Sequence, residues 1–145
     1  MSDAFARPSF KLTHTGALRI LQAAVDAATS LNVPQCIAIV DEGCNLLAFI
    51  RMDGARVLSI DSATRKAMTA ATTRQPTDQL PADKAPALAA ATDGRMTNLL
   101  GGLPLVVHGH VVGGIGVGSG TGEQDLEIAK AAVAIFEAEL GASAA

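Results

Sequence analysis

The sequence is poor in aromatic residues, and this limits what its hydrophobic core can be made of. Its 145 residues include no Trp, no Tyr and four Phe, although 49% of them are hydrophobic. The core must therefore consist mostly of Ala, Val, Leu and Ile, whose small side chains let helices and strands approach closely. A chain of this length is expected to form one domain that buries roughly two-thirds of its unfolded surface.

The chain also lacks a strong positive charge, a long apolar run and a secretory signal. Its formal net charge of −3 argues against nucleic acid and anionic membranes as partners. No apolar run approaches the roughly 18 residues that a membrane span needs. The first residues do not show the charged and apolar regions of a secretory signal. We therefore expect a cytoplasmic protein without a membrane partner.

Cysteine and histidine are scarce too. Cys36 and Cys44 are the two cysteines, and their spacing matches no zinc pattern, so we expect free thiols that fill the core. A zinc site built on His108 and His110 is disfavoured, because no third histidine is near this pair and a carboxylate ligand would have to come from elsewhere in the fold. The sequence therefore predicts neither a disulfide framework nor a bound metal ion.

The most informative segment is residues 101–125, where nine glycines surround two apolar runs. The runs at 105–107 and 111–117 are aliphatic, and the His-Gly-His sequence at 108–110 predicts a tight turn between two strands. Glycine weakens a strand unless another backbone or a ligand must approach it closely. We therefore expect a hairpin with two imidazoles at its tip and a close approach along its second strand.

The order of predicted elements favours an α+β fold. Two hairpins with helices between them indicate one antiparallel sheet covered by helices rather than a parallel Rossmann arrangement. The glycine motifs lie in the wrong context for a dinucleotide loop, and no Walker lysine follows them. The predicted elements are a helix capped by Thr13 or Thr15, strands at 36–40 and 46–50, a helix at 58–73, an irregular segment at 75–95 that is a candidate lid, the glycine-rich hairpin, and a helix at 123–140.

Seven short motifs follow one another along the chain. They are Ile39-Val40-Asp41-Glu42-Gly43, Arg51-Met52-Asp53-Gly54-Ala55, Lys66-Ala67-Met68-Thr69-Ala70, Pro76-Thr77, Gly101-Gly102-Leu103-Pro104, Val112-Gly113-Gly114-Ile115-Gly116-Val117 and Glu123-Gln124-Asp125. In this order the chain from residue 12 to 140 resembles the GlcG/HbpS family of haem-binding or haem-degrading proteins, which is related to the C-terminal domain of PduO-type cobalamin adenosyltransferase.

The resemblance implies a single domain at 12–140, between an N-terminal extension at 1–11 and a tail at 141–145. It implies an antiparallel sheet flanked by helices in profilin-like layers. It also implies a homo-oligomer, either a dimer or a larger ring, and a small-molecule ligand that is haem in some members. Other members are encoded among genes for glycolate and aromatic-compound catabolism.

Haem binding needs an axial ligand and an apolar slot. Because the chain has no Tyr and Cys36 is expected inside a strand, the alternative haem ligands are His14, His108 and His110. The plainer interpretation is that His14 is an exposed residue in the first turn of a helix and that the other two point into water from their turn.

The second hypothesis is an enzyme of the isomerase, lyase or hydrolase type that acts on a small organic acid in a catabolic pathway. Arg51 and Lys66 are its candidate catalytic residues, because a cation can hold a carboxylate and a lysine can act as a base. Its substrate would lie on the glycines, which allow close approach. They are Gly101, Gly102, Gly113 and Gly114.

Plainer interpretations of the same charges remain open. Arg51 could pair with Asp53 or Asp41, and Lys66 could be a solvated helical charge. Asp125 is expected near the start of the last helix, where a carboxylate interacts favourably with the helix dipole.

Overall fold

The computed structural model describes residues 4–144. Within this range the elements are α1 (His14–Ser30), β1 (Cys36–Asp41), β2 (Leu46–Arg51), α2 (Ser59–Thr73), a 3-10 helix (Thr77–Gln79), α3 (Ala85–Ala91), β3 (Gly102–Val107), β4 (His110–Gly118) and α4 (Gly122–Ala144). Thr13 caps α1, because its Oγ1 accepts the Gly16 N–H at 2.9 Å. The irregular segment expected at 75–95 contains the 3-10 helix and α3, and α4 continues past the predicted end at residue 140.

The four strands form one antiparallel sheet in the order β2-β1-β4-β3. At one end of the central strand β1, Cys36 lies opposite Arg51 of β2 on one side and Gly118 of β4 on the other. The α+β prediction of a helix-flanked antiparallel sheet in a single domain is confirmed. The sequence could indicate this because both hairpins carry their own turns.

Helices cover both faces of the sheet, and successive residues of β1 point to opposite faces. Ile37 and Ile39 pack in the larger core cluster with residues of α1 and α4. Ala38 and Val40 pack in a second cluster with the alanines of α2. Since both faces are covered, β1 is buried along most of its length.

The glycines of β4 let α2 lie directly against the strand backbone. A Cβ added to Gly116 would overlap the carbonyl oxygen of Ala63, and one added to Gly114 would overlap that of Ala67. A Cβ on Gly113 would overlap the carbonyl oxygen of Val40 on the neighbouring strand. These glycines could make room either for another backbone or for a ligand. At these positions they make room for another backbone.

The hairpin of β3 and β4 has the predicted tight turn. His108 and Gly109 form it, with φ angles of 50° and 79°, as expected of a two-residue turn whose twist matches the strands. A Cβ on Gly109 would meet no atom within 4 Å. The tip therefore projects away from the core and holds both imidazoles outside it.

Candidate functional site

Lys66 is buried in the middle of α2 and forms an ion pair. Its residue is 4% exposed, and its Nζ donates to Oδ2 of Asp125 at 3.0 Å and to the carbonyl oxygen of Val117 at 2.8 Å. The interpretation of Lys66 as a solvated charge is therefore wrong. Two charges can be removed from water together only when each is neutralised and hydrogen-bonded, as they are here.

Asp125 lies in the first turn of α4 and is 3% exposed. Its Oδ1 accepts the Gly120 N–H at 3.0 Å, and Oε1 of Gln35 accepts the same N–H at 3.0 Å. Gln35 is fully buried, and its Nε2 has no partner in the part of the chain that the structure describes. Asp125 thus does more than interact with the helix dipole, because it joins α4 to α2 through Lys66.

A cavity of about 240 Å³ lies beside this ion pair. Three of its residues, Ser59, Ser62 and Lys66, follow the i, i+3, i+7 spacing that puts side chains on one face of α2. Arg56 reaches it from the turn before α2. The full lining is Arg56, Ser59, Ser62, Lys66, Leu99, Leu100, Ser119, Gly120, Gly122 and Asp125.

The structure brings together only part of the predicted carboxylate site. A Cβ on Gly101 would lie 3.2 Å from Nζ of Lys66, so Gly101 is next to the ammonium group. Gly102 lies against the Lys66 backbone and Thr77. The Gly113 and Gly114 α-carbons face backbone atoms, as described above.

Arg51 lies apart from Lys66, contrary to the prediction that both face one pocket. It is exposed at the end of the edge strand β2, opposite Cys36, and it does not line the cavity beside Lys66. The predicted convergence of the two cations is therefore corrected: Arg56 is the arginine that lines this cavity. The sequence did contain a signal for the site, because Ser59, Ser62 and Lys66 share a helical face.

The hairpin tip carries the second group of predicted residues. His108 and His110 are exposed, and the ring of Phe10 packs beside both, with centroid distances of 5.4 Å and 5.0 Å. Nδ1 of His110 lies 3.0 Å from the carbonyl oxygen of His108. Because a carbonyl oxygen only accepts, Nδ1 is the donor in this contact, and in the neutral imidazole Nε2 is then the nitrogen with a lone pair.

A cavity of about 700 Å³ opens beside His110. Two arginines and one phenylalanine contribute to it, and neither His108 nor His14 does. His14 is exposed at the first residue of α1. The lining residues are Arg7, Pro8, Ser9, Phe10, Glu42, Ala71, Thr72, Arg74, Gly109, His110 and Val111.

Both cysteines are free thiols, as predicted. Cys36 is buried in β1, and Cys44 is half-buried and donates from Sγ to the Met68 carbonyl oxygen at 3.4 Å. Burial raises the pKa of both thiols, which keeps them protonated and unreactive near neutral pH.

Residues 4–144 lack both a cluster of metal-ligating side chains and a membrane-spanning helix. They contain no group of three or more His, Cys, Asp or Glu side chains placed to hold a metal ion. Within the same range, no helix combines the length and hydropathy needed to cross a bilayer.

Known proteins share both this sequence and this fold. A protein of 15.0 kDa encoded between dhaT and dhaS in Citrobacter freundii is 36% identical over 130 residues, which cover 86% of this chain and 92% of that protein. The crystal structure of Klebsiella pneumoniae ORFY superposes with a TM-score of 0.88 at 31% identity, covering 95% of this chain and 99% of that one. A PduOC:haem complex superposes with a TM-score of 0.79 at 31% identity, covering 86% and 94% of the two chains.

The model of the family described as "Haem degrading protein HbpS-like" matches residues 12–134, which is most of the chain. Similarity to corrinoid adenosyltransferase PduO accompanies this match. The resemblance found in the ordered motifs is therefore confirmed, and the chain belongs to the GlcG/HbpS family.

Proposed function

We propose that this chain binds haem and that His110 would hold its iron through Nε2. The observation that carries the proposal is the hydrogen bond from Nδ1 of His110 to the His108 carbonyl oxygen. A histidine that ligates a metal commonly donates its other ring N–H to such an acceptor, which fixes the tautomer and the ring orientation. Haem supplies an iron centre that accepts a neutral imidazole nitrogen.

The cavity beside His110 fits the other parts of a haem molecule. Its volume of about 700 Å³ lies within the range of ordinary cofactor pockets. Arg7 and Arg74 place two guanidinium groups in its lining, and such groups pair well with propionate carboxylates. Phe10 and Val111 contribute apolar surface for the porphyrin face.

The comparisons support a small-molecule ligand of this kind. The matching family is described as haem degrading, and PduOC was solved with haem. Those descriptions concern other proteins. The iron-ligating histidine and the cavity of this proposal are parts of this chain. His14 and His108 remain the alternative iron ligands, so variants of both are measured together with the His110 variant.

The test is a titration of the protein with haemin, followed by the Soret band. We expect a shifted Soret band in the wild type and in His14→Ala, and its loss in His110→Ala. The matched control is His108→Asn, because asparagine tolerates the positive φ at this position and keeps the carbonyl acceptor. A wild type without a Soret shift, or a His110→Ala variant with the wild-type spectrum, contradicts the proposal.

We further propose that the protein self-associates. Leu58, Val57 and Leu99 are 79%, 60% and 54% exposed, and burying such large apolar side chains against a second subunit would be favourable. Location in the cytoplasm and a place in a catabolic pathway stay predictions. An enzyme that uses Arg51 and Lys66 also stays a prediction, with less support from the geometry because Arg51 does not line the Lys66 cavity.

A further inference from the structure

We infer that the cleft around Arg56 binds a small monocarboxylate anion. Two cavities, of about 240 Å³ and 480 Å³, meet here and share Arg56, Ser119 and Gly120 in their linings. Both cavities lie between the start of α2 and the start of α4. We call this space the Arg56 cleft. It shares no lining residue with the cavity beside His110, so it is a second site and is independent of the haem proposal.

The charges of the cleft suit a single negative charge. Arg56 is exposed and takes part in no ion pair within residues 4–144. Arg56, Lys66 and Asp125 are the charged residues that line the smaller cavity, so its formal charge is +1. A planar guanidinium matches a carboxylate through two parallel hydrogen bonds. The fixed carboxylate of Asp125 disfavours a ligand with a second negative charge.

Free hydrogen-bond donors face the same space. Lys66 has three N–H groups, and two of them are used by Asp125 and the Val117 carbonyl oxygen. The third has no acceptor in the described residues, and Lys66 lines the cavity. The Ser59 hydroxyl lies on the same wall, as does the Ser62 hydroxyl, which donates to the Ser59 carbonyl oxygen at 3.4 Å. These groups suit a carboxylate that carries a hydroxyl or carbonyl oxygen.

Gln35 lies behind the Gly120 wall of the cleft and lacks one hydrogen-bond partner. Its side chain is fully buried, yet Nε2 has no hydrogen-bond partner among residues 4–144. This nitrogen lies 2.7 Å from the position that a Cβ on Gly120 would occupy. Buried polar groups are normally paired, and an unpaired one indicates an absent partner. Gln35 itself lines neither cavity, so this unpaired nitrogen lies behind Gly120 rather than in contact with a ligand in the cleft.

The volume of the smaller cavity limits the size of the group that can bind beside Lys66. The cavity beside Lys66, at about 240 Å³, is smaller than the roughly 300 Å³ at which pockets for drug-sized ligands begin. An anion with a few carbon atoms fits beside Lys66, whereas a larger molecule such as a nucleotide would have to extend into the 480 Å³ cavity of the same cleft. The ligand class is therefore a short monocarboxylate such as a hydroxy or oxo acid.

The experiment is an NMR titration of the ¹⁵N-labelled protein with L-lactate. We expect the amide signals of Ser119 and Gly120 to shift at lactate concentrations of about 10 mM, which corresponds to weak binding near 1 mM. Lactamide, which has the same shape without the charge, should cause no such shift. Arg56→Gln should weaken lactate binding about ten-fold or more, because a charge-assisted hydrogen bond is lost.

Arg51→Gln is the matched control, because Arg51 is also exposed but lies outside the cleft. It should leave lactate affinity within about two-fold of the wild type. Absence of lactate-induced shifts, or equal effects of the two arginine variants, overturns the inference. Inorganic sulfate, a dianion at neutral pH, also overturns the inference if it binds as tightly as lactate, since the charge argument predicts a monoanion. Neither arginine variant should change haemin binding, so this test and the haem test can fail separately.

Discussion

Replacing Lys66 by methionine should destabilise the protein strongly. Methionine fills a similar volume, so the change chiefly removes the ammonium group. Asp125 would then be a carboxylate that is 3% exposed and has no cation beside it. The Val117 carbonyl oxygen would lose its bond from Nζ as well. We therefore expect damage to the junction of α2, β4 and α4 rather than a local surface effect.

The size of the effect follows from the burial of both partners. Their side chains are 5% and 4% exposed and their charged atoms are 3.0 Å apart. Removing one partner of such a buried pair costs about 3–5 kcal/mol. Domains of this kind have about 5–15 kcal/mol of total stability, so the variant should lose a large part of it. Thermal unfolding should occur roughly 10 °C or more below the wild type.

Urea denaturation followed by circular dichroism measures the free energy of unfolding. The double variant Lys66→Met/Asp125→Leu removes both charges and should recover about 2 kcal/mol of the loss, because no buried charge is left unpaired. The reasoning is refuted if Lys66→Met unfolds within about 1 kcal/mol of the wild type. It is refuted equally if the double variant is no more stable than the single one.

Three further predictions concern other parts of the chain. Gly116→Ala should lower the free energy of unfolding by about 3 kcal/mol, because its Cβ overlaps backbone of α2, whereas Gly141→Ala has open space and should be neutral or slightly stabilising in the same urea experiment. Burial raises the pKa of the Cys36 and Cys44 thiols above 9.0, so the folded protein keeps these protons longer than the unfolded chain. Their stabilising contribution is complete below pH 9 and is lost as the pH rises through the folded pKa values. Urea midpoints from pH 8 to pH 10.5 should therefore fall less steeply when both cysteines are alanine, and equal slopes would contradict this. Light scattering should give at least a dimer, which Leu58→Ser should weaken, while a monomer at micromolar concentration would oppose self-association.

Most elements of the fold could be predicted because their signals are local. The first hairpin has a polar turn between two apolar runs, and the structure places its strands at Cys36–Asp41 and Leu46–Arg51. The last helix begins near its acidic first turn, at Gly122. In each case the periodicity and turn residues suffice, because they do not depend on which element lies opposite.

The role of the glycines could not be decided from the sequence. A strand glycine that lets a helix pack closely and a strand glycine that makes room for a ligand have the same sequence pattern. Only the packing of α2 on the sheet shows that Gly114 and Gly116 face the carbonyl oxygens of Ala67 and Ala63. A contact between elements that are far apart in the chain has no local signal.

The candidate site was predicted only in part for the same reason. The sequence points to Lys66 as a site residue, but it does not show that Asp125, 59 positions away, is the partner of its ammonium group. Arg51 was chosen because it ends a strand, although the turn that follows brings Arg56 to the cleft instead. The proton position on His110 likewise depends on the turn geometry, which the residue types alone do not give.

The close contact between α2 and β4 has a consequence for motion. With carbonyl oxygens of the helix set directly against the glycines of the strand, no flexible side chain separates them, and the two elements should move as one rigid body. That body carries Ser59, Ser62 and Lys66 from the helix and leads directly into Ser119 and Gly120. These two sides of the Arg56 cleft therefore keep a constant separation. On the side beside Lys66, the Leu99–Leu100 segment and the Arg56 side chain are the lining groups outside this body and α4, so a larger ligand would be admitted there by their movement.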